Sequence, residues 1–142
     1  MAFIKTLIPI VLVWLISLPL DAADVDGDGL QDYQVAAGSL HTCALDDSGL
    51  RCWGSNYYGQ IDVPTNLINA VAVTTGEFHT CAIDDNGLHC WGRNEDGQTD
   101  VPTDLVNPVA VAAGIYHTCT VDEGGGVQEP YIYCWGESGA GK

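Results

Sequence analysis

The chain has 142 residues, 46% of them hydrophobic, with 4 Lys+Arg against 19 Asp+Glu and a formal net charge of −15. That length suits about one domain and suffices to bury a core. The acidic balance repels phosphate backbones and anionic lipid headgroups, so nucleic acid is excluded as an expected partner.

Residues 1–22 read as a secretory signal peptide. Lys5 precedes an apolar run from Leu7 to Leu18, then come Pro19 and the small residues Ala22 and Ala23, with cleavage expected after Ala22. The run approaches the length of a membrane span, so a retained anchor is the competing reading. Pro19, the small residues and the lack of a basic stop favour cleavage, which would leave no membrane segment in the mature chain. Lys5 and Asp21 leave together, so the charge stays at −15. Export to an extracytoplasmic compartment turns the even count of 6 cysteines toward disulfides rather than metal or redox chemistry.

Residues 23–34 form an acidic linker containing DVDGDGLQD. Asp24, Asp26, Asp28 and Asp32 stand at the first, third, fifth and ninth places of a calcium loop, with Gly29 at the sharp turn and Leu30 offering its carbonyl. Val35 stands where an EF-hand has its bidentate Glu, so the segment looks more like the aspartate-rich loops of thrombospondin type 3. Two readings stand side by side, a weak calcium site and a solvated acidic linker.

From Val35 the chain repeats itself. Residues 35–72 and 73–110 align without a gap at a period of 38, and a third, incomplete copy occupies 111–142 with six extra residues before Cys134. Within each copy, HTCAL and LRCWG around the turn sequence DDSG read as a β-hairpin. Past the signal peptide no 3.6-residue apolar period appears, so helices are not expected. With a loop at 46–49, Cys43 falls opposite Cys52, and the same count pairs Cys81 with Cys90. Enlarging the third tip to 122–131 pairs Cys119 with Cys134. Directly opposed strand residues lie within disulfide reach. In DVPT, Pro64 and Pro102 are expected where an edge strand ends, since proline cannot donate to a ladder.

Several clusters invite a chemical reading. His41, His79 and His117 precede a cysteine by two residues in every copy, yet one His and two Cys fall one ligand short of a structural zinc site. A hydrogen-bonding role between strands or blades recurs naturally in every copy, and is expected. The doublets Asp46-Asp47 and Asp84-Asp85 are expected to form turns rather than a catalytic pair. GESGAGK at 136–142 has the spacing of a phosphate-binding loop but ends without the required helix or hydroxyl residue, and reads as coincidence. No nucleophile is paired with a base, so no catalytic residue is assigned and no enzyme activity is expected.

The signature G-x-x-H-T-C-A-[LI]-D-D-x-G-L-x-C-W-G-x-N-x-x-G-Q-x-D-V-P resembles the regulator of chromosome condensation repeat. The resemblance covers 35–142 and implies an all-β partial β-propeller of about three blades, two complete and one truncated, with disulfide-stapled hairpins. The short period looks most like secreted bacterial members such as β-lactamase inhibitor protein II. Such propellers usually close with seven blades, and the third copy stops at Lys142, the position of Gln60 and Gln98, so a larger propeller is expected around this chain.

The positions that vary between copies carry the functional expectation. They lie in two loops: Ser39-Leu40, Glu77-Phe78 and Ile115-Tyr116 before the histidine, and Tyr57-Tyr58, Glu95-Asp96 and Gly139-Ala140 after the Trp-Gly. Tyr57, Tyr58, Phe78 and Tyr116 are aromatics of the kind that dominate protein interfaces. Packing against neighbouring loops is the equal alternative. The expectation is an exported, non-enzymatic module that binds a protein, with calcium as its candidate cofactor. The alternative that the resemblance implies is guanine-nucleotide exchange on a small GTPase.

Overall fold

The computed structural model describes residues 33–124 and 130–137. The expected signal peptide, the aspartate loop with Asp24, Asp26, Asp28, Leu30 and Asp32, and Gly139-Ala140 lie outside the described residues. Those described form nine strands in three antiparallel sheets. Blade 1 comprises β1 (Gln34–Ala37), β2 (His41–Asp46) and β3 (Gly49–Gly54). Blade 2 comprises β4 (Ala72–Thr75), β5 (His79–Asp84) and β6 (Gly87–Gly92), and blade 3 comprises β7 (Pro108–Ala113), β8 (His117–Asp122) and β9 (Tyr131–Gly136).

The hairpin register follows the repeat spacing. Cys43 pairs with Cys52, Cys81 with Cys90 and Cys119 with Cys134. Each pair is joined by a disulfide across a Cα separation of 4.1 Å, as suits directly opposed, non-hydrogen-bonded residues. The tips are tighter than a four-residue loop, because Asp46 pairs with Gly49 and Asp84 with Gly87. The first aspartate of each doublet makes this tight turn possible. Asp46 Oδ1 accepts from the Ser48 N–H at 2.8 Å and Asp84 Oδ1 from the Asn86 N–H at 2.7 Å, which are Asx-type turns. Asp122 Oδ1 likewise accepts from the Gly124 N–H at 3.0 Å, so the third copy keeps the device at the base of its longer tip.

The prolines of DVPT do not end an edge strand. Residues 55–71 run as turns and irregular chain in which Asn56 Nδ2 donates to Asp62 Oδ1 at 2.7 Å and Asn56 Oδ1 accepts from the Ile61 N–H at 3.1 Å. The Asn94 and Asp100 pair repeats this at 2.7 Å. These side chains supply locally the hydrogen bonds that a strand would need from a neighbour, and each sheet therefore stops at three strands.

The blades stack through the faces of their central strands. In β5 every residue is buried, whereas β2 buries alternate residues starting from His41 and β8 alternates starting from Thr118. Side chains alternate between the two faces of a strand, so His, Cys and the aliphatic residue of each strand face the following blade and Thr faces the preceding one. Between blades 1 and 2 this makes a small core of Cys43, Leu45 and Val73, with Ala36, Leu50, Cys52 and Ala70 packed around it. Among the described residues no helix is long and apolar enough to cross a membrane.

Candidate functional site

Two of the repeated histidines, His41 and His79, tie each blade to the next. Thr80 Oγ1–H donates to the Gln60 carbonyl at 2.8 Å, so its oxygen accepts from His41 Nε2–H at 2.8 Å. One repeat later, His79 Nε2 reaches Thr118 Oγ1 at 2.9 Å, and that hydroxyl donates to the Gln98 carbonyl at 2.8 Å. The same carbonyls accept from the indoles of Trp91 and Trp135, each at 3.0 Å. Gln60 and Gln98 are fully buried and turn back on their own loops, their Oε1 atoms accepting from the Tyr58 and Asp96 N–H groups at 2.8 and 3.0 Å. Burial lowers the His79 pKa from 6.5 to about 4, with the neighbouring His41 and His117 rings adding to the effect, and burial lowers that of His41 too. The His41 and His79 rings are neutral structural donors, and with both cysteines of each copy in a disulfide the zinc reading loses its thiolate ligands.

The aspartate doublets are structural as well. Asp84 Oδ2 accepts from the Ile68 N–H at 2.7 Å, and Asp122 Oδ2 from the Val106 N–H at 2.8 Å, tying each hairpin tip to the incoming loop. Burial opposes ionisation of Asp84, but the Ile68 and Asn86 N–H groups and the His89 ring outweigh it, leaving its pKa below the ordinary carboxylate value. The first aspartates are therefore committed to backbone amides rather than poised as proton carriers.

The opposite end of the blades is built differently. Strand β2 runs from His41, opposite Gly54, to Asp46, opposite Gly49, so the turns at 38–40 and the loops after Gly54 lie at one end and the hairpin tips at the other. At the first end Gly38, Gly76 and Gly114 border an open depression of about 370 Å³. Glycine is required there: a Cβ on Gly76 would lie 2.3 Å from His79 Cε1 and 2.4 Å from the Gly114 carbonyl oxygen.

Tyr57, Tyr58, Phe78 and Tyr116 meet at that same end. The rings of Tyr57 and Tyr58 stand edge to face at 4.9 Å, and Tyr58 lies 5.2 Å from Phe78. Arg93 bridges to the third blade, its guanidinium carbon 5.9 Å from the Tyr58 ring centre and 5.1 Å from that of Tyr116. Glu95 and Asp96 hold the guanidinium through contacts of 2.7 and 3.3 Å. The result is one aromatic and cationic rim across three blades, with Tyr57 84% exposed at its edge. Sequence reasoning found the four aromatics and missed Arg93. Its signal was available: the residue after the Trp-Gly is Ser55, Arg93 or Glu137, so it varies between copies as the aromatic positions do.

Comparison with known proteins places this geometry. The model for the Regulator of chromosome condensation (RCC1) repeat matches residues 33–60 and 70–98. A search of the curated proteins returns no match. Among solved structures, the chain is similar to the ectodomain of the Physcomitrella patens receptor kinase CR4, with 28% identity and a TM-score of 0.58 over 72% of this chain and 28% of that one. It is also similar to yeast RCC1 (Prp20) in a structure bound to Kap60, with 22% identity and a TM-score of 0.58 over 75% of this chain and 30% of that one. Human WBSCR16 aligns at 26% identity and a TM-score of 0.57 over 72% of this chain and 33% of that one. The chain thus spans about a third or less of each of these structures. These comparisons lend no weight to the expected likeness to the bacterial inhibitor. With two matched repeats and a third blade in the same register, the chain carries regulator of chromosome condensation repeats folded as successive blades of a β-propeller.

Proposed function

We propose that these blades form an exported, non-enzymatic protein-binding module whose partner docks on the rim of Tyr57, Tyr58, Phe78, Arg93 and Tyr116. The observation that carries this reading is the convergence of residues from three blades into one surface, the Tyr57, Tyr58 and Phe78 rings joined to Tyr116 through Arg93, at positions where the repeats otherwise differ. Scaffold positions repeat because each blade needs them, whereas a rim that changes from blade to blade is suited to a single asymmetric partner. The relatives support a binding role by analogy, since yeast RCC1 was solved bound to Kap60 and Prp20p is described with its binding to Gsp1p and histones.

Three disulfides and the likeness to a receptor ectodomain support export. They weigh against nucleotide exchange on an intracellular GTPase. Calcium at Asp24, Asp26, Asp28, Leu30 and Asp32 is proposed as a weak accessory site, tested by calorimetric titration of wild type and Asp26→Ala. Heat with wild type alone supports it, and equal heats or none refute it. The docking rim is tested by capture from the extracytoplasmic fraction with wild type and with Tyr57→Ala/Tyr58→Ala. Loss of a wild-type partner in the double variant is expected; equal capture refutes the rim.

A further inference from the structure

The rim already holds one guanidinium. Arg93 lies 5.9 and 5.1 Å from the ring centres of Tyr58 and Tyr116, and its charge is met by Glu95 and Asp96 at 2.7 and 3.3 Å. Two aromatic rings and two carboxylates are thus gathered on one planar cation, an arrangement that suits arginine better than lysine. One repeat earlier the same positions are filled differently. Stepping back 38 residues brings Arg93 to Ser55, Glu95 and Asp96 to Tyr57 and Tyr58, and Tyr116 to Phe78. The aromatic share of the arrangement grows there, and a short hydroxyl side chain stands in place of the cation.

Tyr57, Tyr58 and Phe78 pack on one another at 4.9 and 5.2 Å, so a cation's approach is to the outward ring of Tyr57, which is 84% exposed. Both blades that flank this ring are present, because its loop joins blade 1 to blade 2 and Tyr58 leans on Phe78 of blade 2. Further blades of the same ring would stack on the outer strand faces of blades 1 and 3, whereas the rim lies at the strand ends, across the direction of stacking. Carboxylates prevail at this end. Glu77, beside the depression bordered by the three glycines, and Glu137, whose N–H donates to the Tyr116 carbonyl at 2.9 Å, add to Glu95 and Asp96 against the single guanidinium of Arg93. Among the described residues Arg51 alone joins Arg93 as a Lys or Arg, and it pairs with Asp46 at the hairpin-tip end. With a net charge of −15 over the whole chain, the surface draws a cationic segment and repels an acidic one.

We infer that the partner on the rim is a basic protein segment, one of whose arginine side chains stacks on Tyr57 while the rim carboxylates attract its other charges. The inference rests on the docking rim proposed above and adds the chemistry of what docks there. Arg93 is its internal precedent: the chain places its own guanidinium over the Tyr58 and Tyr116 rings, and leaves the Tyr57 ring to a guanidinium from outside.

Fluorescence anisotropy of a labelled peptide of alternating arginine and glycine, titrated with the oxidised full chain, tests this. Wild type should bind it, more weakly as salt is raised, and should not bind the same peptide with neutral citrulline in place of arginine. Tyr57→Ala changes no charge and should weaken binding about two- to fivefold, the worth of an exposed cation–ring contact, and Tyr57→Phe should restore it. Glu77→Gln should weaken binding more than Asp47→Asn, which makes the same change of charge at the exposed hairpin tip. Circular dichroism with a free-thiol assay checks that each variant is folded. No binding by wild type overturns the inference, as do equal binding of the citrulline peptide, binding indifferent to Tyr57→Ala, and equal losses from Glu77→Gln and Asp47→Asn. The rim itself is judged by the capture experiment: a partner lost in Tyr57→Ala/Tyr58→Ala, with no binding of the arginine peptide, leaves the rim standing and overturns only the basic partner.

Discussion

Replacing His79 with Gln should remove a stability loss that the wild-type chain suffers on mild acidification. His79 is fully buried, and its pKa is lowered to about 4 from 6.5. Above about pH 6.5 the ring is neutral in both folded and unfolded chains, and proton uptake contributes nothing. As pH falls below that value the unfolded chain takes up a proton that the folded chain refuses, so stability declines until the folded ring titrates near pH 4. The full difference is worth about 3 kcal/mol, because each unit of pKa corresponds to about 1.4 kcal/mol. Acidification also neutralises part of the −15 charge and relieves self-repulsion, an opposing trend shared by wild type and variant. The informative quantity is therefore the difference between the two proteins. Urea unfolding with disulfides intact, from pH 7.5 to 4.5, should show wild type losing about 2 to 3 kcal/mol relative to His79→Gln. Gln keeps a donor for Thr118. A difference that stays constant across this range would refute the neutral, buried histidine ladder.

Other substitutions probe the same architecture. Thr118→Val should cost about 1 to 3 kcal/mol by leaving the His79 Nε2–H and the Gln98 carbonyl without the shared hydroxyl, and Thr118→Ser should recover most of it in urea unfolding. Gly76→Ala should destabilise more than Gly87→Ala, since its Cβ would meet backbone and ring while that of Gly87 meets nothing within 4 Å and suffers only its positive φ of 115°. Opening the Cys81–Cys90 bridge by double alanine substitution should cost about 3 kcal/mol in thermal or urea unfolding, consistent with a loop closed over a separation of 9 residues. Below the ordinary carboxylate range a second acid loss should appear. Asp84 and Asp122 have lowered pKa values, so their contribution holds above the unfolded value and vanishes as pH falls through the folded one, which Asp84→Asn should reduce.

Much of the fold was legible because the hairpin is a local object. Counting outward from Asp46 and Gly49 puts Cys43 against Cys52, and repetition of the count in the second copy makes the register hard to mistake. The third copy absorbs six residues at the tip without disturbing Cys119 and Cys134 for the same reason. What local pattern could not supply was the partner of each repeated polar residue. Thr80 meets His41 across 39 positions and Gln60 across 20, distances at which only the stacking of blades decides contact. The Pro64 segment misled because an extended look and a terminal proline suggest a strand, while Asn56 had already satisfied the chain locally. At the rim, variation between copies singled out the aromatics. Arg93 joins them only through its position over two rings on different blades.

The docking rim is tested most directly by photo-crosslinking from a benzophenone side chain placed at position 57, against one placed at position 68. Tyr57 lies on the rim, whereas Ile68, 52% exposed, lies at the hairpin-tip end, where its carbonyl accepts from the Asp85 N–H. A single protein adduct from position 57 and none from position 68 is the predicted result. Adducts from position 68 with none from position 57 would contradict it.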